Sequence, residues 1–298
     1  MSDPKTLRVG WIGTGVMGAP MAGHLLAAGY PVTVFNRTKA RADALLAKGA
    51  AWAPTPAAIA EQSDIVFSIV GFPEDVRQTY LGKDGVFESA RRGQIVVDMT
   101  TSPPTLAQEI AEAGAQKGVC SLDAPVSGGQ GGAEGARLTI FVGGETEGFE
   151  KALPLFQKMG KTITHLGGAG CGQHCKMVNQ ILIAGHMLAL AESVTYARHC
   201  GIKAETAIEA VSQGAAGSWA LSNLGPRILK DDFAAGFYVD HFVKDLGIAL
   251  AEARKMKLSL PMLALAEQLY VALQAQGHGR LGTQAIPKVY EAIRNDIS

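Results

Sequence analysis

One short run restricts this chain more than any other: Val9-Gly-Trp-Ile-Gly-Thr-Gly-Val-Met-Gly18. An apolar stretch ends in glycines, and an Ala/Leu-rich stretch, Ala19 to Ala28, follows them. That order reads as strand, tight turn and helix. Gly13 permits the sharp turn, Gly15 lets backbone approach a pyrophosphate, and Gly18 lets helix and strand pack closely. The helix start then offers unpaired N–H groups and a positive dipole end to an anion. The pattern G-x-G-x-x-G alone arises by chance, so its weight comes from the strand before it and the helix after it. A glycine-rich turn that binds nothing is the competing reading.

The first half keeps this alternation. Apolar runs at Leu7–Ile12, Val32–Phe35, Ile65–Ile69, Ile95–Val97 and Val119–Asp123 are separated by helical stretches such as Thr38–Lys48 and Pro104–Lys117. A βαβα rhythm implies an α/β fold, a doubly wound and mostly parallel sheet with helices on both faces. Leu138–Val142 and Thr162–His165 extend the sheet. Past the glycine-rich break Gly167–Gly172 only helical patterns remain, at about 173–199, 203–213, 218–230, 240–256, 260–276 and 284–294. The spacing predicts a Rossmann-type domain over 1–165 and an all-α domain over 166–298, with the long helix at about 173–199 between them. That helix would span roughly 40 Å, and its apolar character nearly all round predicts burial on several sides.

Composition narrows the class. The 298 residues carry 27 basic and 27 acidic side chains, a balance that argues against nucleic acid or an anionic membrane as partner. Met1 to Thr6 is a short polar tail without a charged-then-apolar leader. The most apolar long stretch, Ile181–Ala191, falls short of the roughly 20 residues of a bilayer span and reads as a buried helix. Cys120, Cys171, Cys175 and Cys200 form no C-x-x-C, and His174 beside two of them lacks a second ligand pair, so neither a disulfide framework nor a metal is expected. A cytoplasmic, reducing compartment fits these cysteines.

The second strand closes at Asn36 and is followed by Arg37 and Thr38. An NAD-binding fold usually places an acid here, on the ribose 2′-hydroxyl. With no carboxylate to repel a 2′-phosphate and a guanidinium to receive one, the position favours NADP, with NAD possible. A solvated Arg37 at a helix start is the alternative.

Three further motifs bear chemistry. Asp123-Ala-Pro-Val-Ser-Gly-Gly129 follows a strand and so lies at the sheet's carboxyl edge, where ligands of such folds bind. Ser127, Gly128 and Gly129 can offer a hydroxyl and bare N–H groups to a carboxylate, although an ordinary turn explains them equally. The run Gly170–Gln180 opens the long helix, and Lys176 is a lone ammonium beside very apolar sequence, on one face with Asn179 or Gln180. In a first helical turn, the dipole and burial together lower a lysine pKa toward the range of a general acid or base; a lysine snorkelling to solvent is the equal alternative. Lys244-Asp-Leu246 reads, on spacing alone, as an exposed helix turn.

Taken in order, Gly13-Thr-Gly-Val-Met-Gly-Ala-Pro-Met21, Asp123–Gly129, Gly172-x3-Lys176-x2-Asn179 and Lys244-Asp-Leu246 resemble the β-hydroxyacid dehydrogenase family over nearly the whole chain. Its members include 3-hydroxyisobutyrate dehydrogenase, tartronate semialdehyde reductase and glyoxylate/succinic semialdehyde reductase. The resemblance implies that Lys176 is the catalytic lysine and that Asn179 places it and the substrate. It implies that Ser127, Gly128 and Gly129 hold the substrate carboxylate and that Lys244 lies near cofactor and substrate. Implied cofactor contacts are Gly13, Thr14, Gly15, Val16 and Met17, then Asn36, Arg37 and Thr38, then Val70 in the loop Val70–Pro73, and Thr101. The implied reaction is reversible hydride transfer between NADPH and a small hydroxy acid, semialdehyde or keto acid.

Imine reductases share the fold but typically replace the lysine. A non-catalytic cofactor-binding module would be expected to lose the lysine or the glycines. Four positions depart from the family pattern: Gln180 for a second Asn, His241 for Leu, Gln284 for Asp, and a longer loop at Val70–Pro73. They put the substrate, not the lysine chemistry, in question, with Phe237, His241 and Trp219 as candidates for setting specificity. The many apolar residues of the helical half, among them Leu258, Met262, Leu265 and Leu269, suggest self-association, and the resemblance implies a homodimer or homotetramer.

Overall fold

The computed structural model describes residues 6–295, so most of the polar tail read at Met1–Thr6 lies outside them. The chain divides into two compact units, Met1–Lys176 and Met177–Ser298.

The first unit begins β1 (Val9–Ile12), α1 (Gly18–Ala27), β2 (Val32–Phe35), α2 (Asp43–Leu46), β3 (Ala51–Trp52), α3 (Pro56–Gln62) and β4 (Ile65–Ser68). It continues α4 (Pro73–Leu81), α5 (Val86–Ser89), β5 (Ile95–Asp98), α6 (Pro104–Gln116), β6 (Cys120–Asp123) and β7 (Val126–Ser127). It closes with α7 (Gly129–Glu134), β8 (Leu138–Gly144), α8 (Thr146–Phe156) and β9 (Gly160–His165). The strands run β3-β2-β1-β4-β5-β6-β8-β7, with β9 beside β8. Pairing is parallel from β3 to β6, antiparallel where β8 meets β6 and β7, and parallel between β8 and β9.

Helices cover both sheet faces, so β1, β4 and β5 are buried at every position and read as unbroken apolar runs. Alternation sends Trp11, Phe67 and Val97 into one core and Ile12, Val66 and Val96 into the other. Gly10 faces the second core because a Cβ there would collide with Ile59 and Ser63. The helix expected over Thr38–Lys48 is instead a 3-10 turn, Lys39–Ala42, followed by the short α2. β3 and β7, two residues each, show too little alternation to be read from sequence. Where capping chemistry is present the starts are sharp: Thr55 accepts from Ala58 N at 3.0 Å and Pro56 opens α3.

Helix α9 (Cys171–His199) begins in the first unit. The second unit adds α10 (Ala204–Ser212), α11 (Trp219–Leu229), α12 (Val239–Lys255), α13 (Pro261–Leu273) and α14 (Pro287–Asn295). Met187, Leu188, Ala191 and Val194 of α9 pack with Phe242, Leu246 and Ala249 of α12 and with Leu263, Tyr270 and Leu273 of α13. Burial of α9 on several sides does not hold: Val178 and Leu182 are each 58% exposed and Tyr196 is 74% exposed. By length and composition α9 could cross a membrane, but its central apolar stripe is part of a protein core.

Candidate active site

Strand order reverses between β1 and β4, and ligands of open α/β sheets bind outside the strand ends at such a point. Gly13 leaves β1 with φ of 95° and donates to Phe35 O at 2.9 Å. A Cβ on Gly13 would strike the Ile69 carbonyl, and one on Gly18 would strike the carbonyl of Gly13. A Cβ on Gly15 would meet nothing within 4 Å. The outer two glycines therefore serve packing, and the middle one borders open space. Helix α1 starts without a side-chain cap or an acidic residue in its first turn. Thr14 is 3% exposed, and its Oγ1 has no hydrogen-bond partner among the described residues. An orphaned hydroxyl and an uncapped helix start beside open space fit the pyrophosphate of a dinucleotide.

The neighbouring loops hold this turn in place. Asn36 Oδ1 accepts from Thr14 N at 3.0 Å and its Nδ2 donates to Thr38 O at 2.9 Å, so this amide braces the two loops. Val70 N donates to Thr100 Oγ1 at 3.0 Å. Val16 is exposed and Met17 half-buried at the head of α1. The Arg37 guanidinium projects to solvent and meets Asp75 Oδ1 at 2.9 Å. Asp75 Oδ2 also accepts from Phe72 N at 3.2 Å and so closes the start of α4.

Thr101, half-buried between β5 and α6, is bracketed by one side chain. Gln173, fully buried in the first turn of α9, donates from Nε2 to Thr100 O at 2.7 Å and accepts from Ser102 N on Oε1 at 3.1 Å.

On the other side of the same sheet edge, β7 carries Ser127. Gly128 and Gly129 follow with φ of 131° and 60°, a backbone that L side chains rarely adopt. Lys176 is 6% exposed, and its Nζ donates to Val126 O at 2.8 Å, one residue before Ser127. The lysine thus lies beside the segment expected to receive a carboxylate rather than snorkelling to solvent. Because α9 starts at Cys171, Lys176 lies in the second turn, not the first. The helix dipole falls off within one turn, so its effect on Lys176 is weaker than the spacing implied.

Asp123, quoted in sequence only as the head of its motif, accepts from Gly170 N at 2.7 Å and Gln173 N at 2.8 Å. Burial pushes its carboxyl up to about 6 against the pull of these bonds, and Asp98 adds to the rise. Asp98 in turn accepts from Ser68 Oγ and Thr100 N, each at 3.0 Å. The roles of Asp123 and Gln173 were missed. The available signal was a carboxylate closing an otherwise apolar strand, at both Asp98 and Asp123.

The second unit holds its own polar cluster. Asn179 Nδ2 donates to Gln180 Oε1 at 2.7 Å, and Gln180 Nε2 donates to Asp245 Oδ2 at 2.6 Å. Lys244 Nζ lies 3.0 Å from Asp245 Oδ1, a charge contact rather than an aligned hydrogen bond. Asp245 is 1% exposed, so Lys244 is a held cation and not an exposed helix turn. Burial first, and then the Lys244 charge, lowers the His241 pKa. Gln284, which departs from the family's Asp, is buried and donates to the carbonyls of Asp232 and Ala234 at 3.1 and 3.0 Å. Phe237 packs on Phe242 in the core, whereas Trp219 is 67% exposed.

Residues 8–167 match the NAD-binding domain of 6-phosphogluconate dehydrogenase, and residues 170–290 match the domain described as NAD-binding of NADP-dependent 3-hydroxyisobutyrate dehydrogenase. A 3-hydroxyisobutyrate dehydrogenase-like protein of Arabidopsis thaliana is 52% identical over 293 residues, covering 98% of this chain and 87% of its own. The chain belongs to the β-hydroxyacid dehydrogenase family. An NAD-dependent L-serine dehydrogenase of Pseudomonas aeruginosa is 36% identical over 291 residues, covering 95% of this chain and 98% of its own. The solved 3-hydroxyisobutyrate dehydrogenase of Mycobacterium tuberculosis with L-serine superposes with a TM-score of 0.88 at 29% identity, over 95% of this chain and 99% of that one. This family member is therefore a pyridine-nucleotide-dependent hydroxyacid dehydrogenase, with the Rossmann sheet and helical C-terminal part that the family shares.

Proposed function

We propose that the enzyme moves hydride reversibly between NADPH and a small hydroxy acid, semialdehyde or keto acid, with Lys176 as general acid and base. The observation that carries this reading is the buried Lys176 ammonium on Val126 O, next to Ser127 and two glycines of positive φ. The substrate carboxylate binds the Ser127 hydroxyl and the Gly128 and Gly129 N–H groups, which brings its reacting oxygen to Lys176. In reduction the Lys176 ammonium donates a proton to that oxygen; in oxidation neutral Lys176 removes the hydroxyl proton. The nicotinamide supplies or accepts the hydride. Within the second unit, Gln180 and Asp245 hold Asn179 and Lys244, the amide and the cation to which the family resemblance gives substrate roles.

NADPH is the preferred cofactor because Asn36 and Arg37, rather than a carboxylate, follow β2. L-serine in the names of the Pseudomonas and mycobacterial relatives supports a short 3-hydroxy acid as substrate. The exposed Tyr196, Leu258, Met262 and Leu265 support a homo-oligomer built through the helical unit.

The test is an initial-rate panel of short hydroxy acids and semialdehydes with NADPH and NADH, run beside Lys176→Gln. Turnover in the variant is expected to fall about 100- to 10,000-fold with cofactor binding retained. A variant with near-normal turnover would end the lysine mechanism.

A further inference from the structure

Asp123 closes β6 with a carboxylate 5% exposed, and no substrate or cofactor contact proposed above uses it. Its two oxygens take the N–H groups of Gly170 and Gln173, which bracket the start of α9. A strand side chain thus fills the place usually taken by a helix's own N-cap. The surrounding backbone is shaped to this carboxylate: a Cβ on Gly143 would come within 2.5 Å of Oδ1, and one on Gly172 within 2.8 Å of Oδ2. Three residues further on, Val126 O receives the Lys176 ammonium. The segment 123–126 therefore grips α9 twice, at the backbone of its first turn and at the tip of Lys176.

We infer that Asp123 is a positioning residue for the reaction: as a carboxylate it clamps the first turn of α9 and so fixes where the Lys176 ammonium stands. The inference rests on the lysine reading above. Protonation replaces one acceptor oxygen by an O–H that faces a backbone N–H, so one half of the clamp opens. Titratable groups on the elements around Asp123 are Asp98 on β5, Glu109 and Glu112 on α6, Glu147, Glu150 and Lys151 on α8, and Cys171, His174, Cys175 and Lys176 on α9. Asp98 is the one whose charge acts on it, in the same direction as burial, and the opening is centred near pH 6. The reduction direction isolates the effect. There Lys176 works as an ammonium, so its own titration limits the rate only on the alkaline side.

The experiment measures kcat for reduction at saturating NADPH and substrate from about pH 5 to about pH 9, with NADPH binding followed by fluorescence. Wild type is compared with Asp123→Asn, Asp98→Asn and Lys176→Gln. Wild type should lose activity on the acid side near pH 6. Asp98→Asn removes a neighbouring negative charge and should move that limb to lower pH. Asp123→Asn should lower kcat about ten- to a hundredfold at neutral pH, leave NADPH affinity unchanged and abolish the acid limb. Wild-type kcat in Asp123→Asn, or persistence of its acid limb, overturns the inference. If Asp123→Asn does not fold, an unmoved limb in Asp98→Asn overturns it instead. Full turnover in Lys176→Gln overturns the lysine reading, whatever Asp123 does.

Discussion

Two helices begin in the first unit at glycine-rich turns and treat their N-termini in opposite ways. Helix α1 has no side-chain cap and no acid in its first turn, and open space lies beside Gly15. Helix α9 has its first turn filled from within by the Asp123 carboxylate. The same backbone donors serve both, so the difference is one carboxylate. Left open, a helix start can receive a phosphate; closed by a buried acid, it becomes a fixed mount for a side chain further along. Glycine is needed in both turns, but for approach in one and for clearance in the other.

That contrast predicts opposite consequences for adding a methyl group. Gly172→Ala drives a Cβ against the carbonyls of Asp123 and Phe141, each 2.5 Å away, and backbone cannot step aside. Overpacking of this kind costs about 1–3 kcal/mol or more, so the melting temperature should fall by several degrees and turnover with it. Gly15→Ala has room in the fold and should melt like wild type. Its methyl occupies the approach to the pyrophosphate, so the KM for NADPH should rise about tenfold or more. A stable Gly172→Ala, or a Gly15→Ala that binds cofactor normally, would erase the distinction between the two turns.

A third prediction separates stability from activity at Asp123. Its carboxyl titrates at about 6 in the folded protein against an ordinary 3.8, so the folded state holds the proton more tightly than the unfolded chain. Stability contributed by such a group is present at low pH and is lost as pH rises through about 6. Between pH 7 and pH 5, wild type should gain about 1 kcal/mol relative to Asp123→Asn, seen as a rise in melting temperature in buffers matched for ionic strength. Turnover is expected to fall across the same interval. A carboxylate kept for structure alone would not be more stabilising when neutral while the enzyme works better with it charged. Parallel melting curves for the two proteins would remove Asp123 as the group that titrates.

Much of this could be read from sequence, and what could not has a common cause. Strands β1, β4 and β5 are buried on both faces, so their apolar runs announce them, and Gly13, Gly15 and Gly18 announce the turn between β1 and α1. Lys176 was legible as a lone charge in an apolar helix. The acids that act on these elements were not. Asp123 bonds to residues 47 and 50 positions away, and Asp75 meets Arg37 across 38 positions. Local patterning reports burial and turns, but it has no term for a carboxylate whose partners are set by strand order. Helix α9 shows the converse limit: its apolar composition implied burial on several sides, yet Val178, Leu182 and Tyr196 face outward.

The open turn also explains why the smallest effect should come from Asp75. Arg37, the group proposed to take a 2′-phosphate, is already paired with the Asp75 carboxylate, whose other oxygen closes α4 through Phe72 N. A negative charge therefore stands beside the proposed phosphate position, supplied by the first turn of α4 rather than by the residues after β2. Asp75→Asn keeps an oxygen for Phe72 N and removes the charge. The KM for NADPH should then fall about two- to fivefold while that for NADH stays put, and the gain should shrink as salt is added. The size is limited because the Arg37 side chain is 86% exposed and its interactions are screened. Arg37→Gln is the reference, expected to raise the NADPH KM and spare NADH. If Arg37→Gln behaves so and Asp75→Asn weakens NADPH instead, Asp75 orients the guanidinium rather than competing for it. If neither substitution separates the two cofactors, the end of β2 does not choose between them.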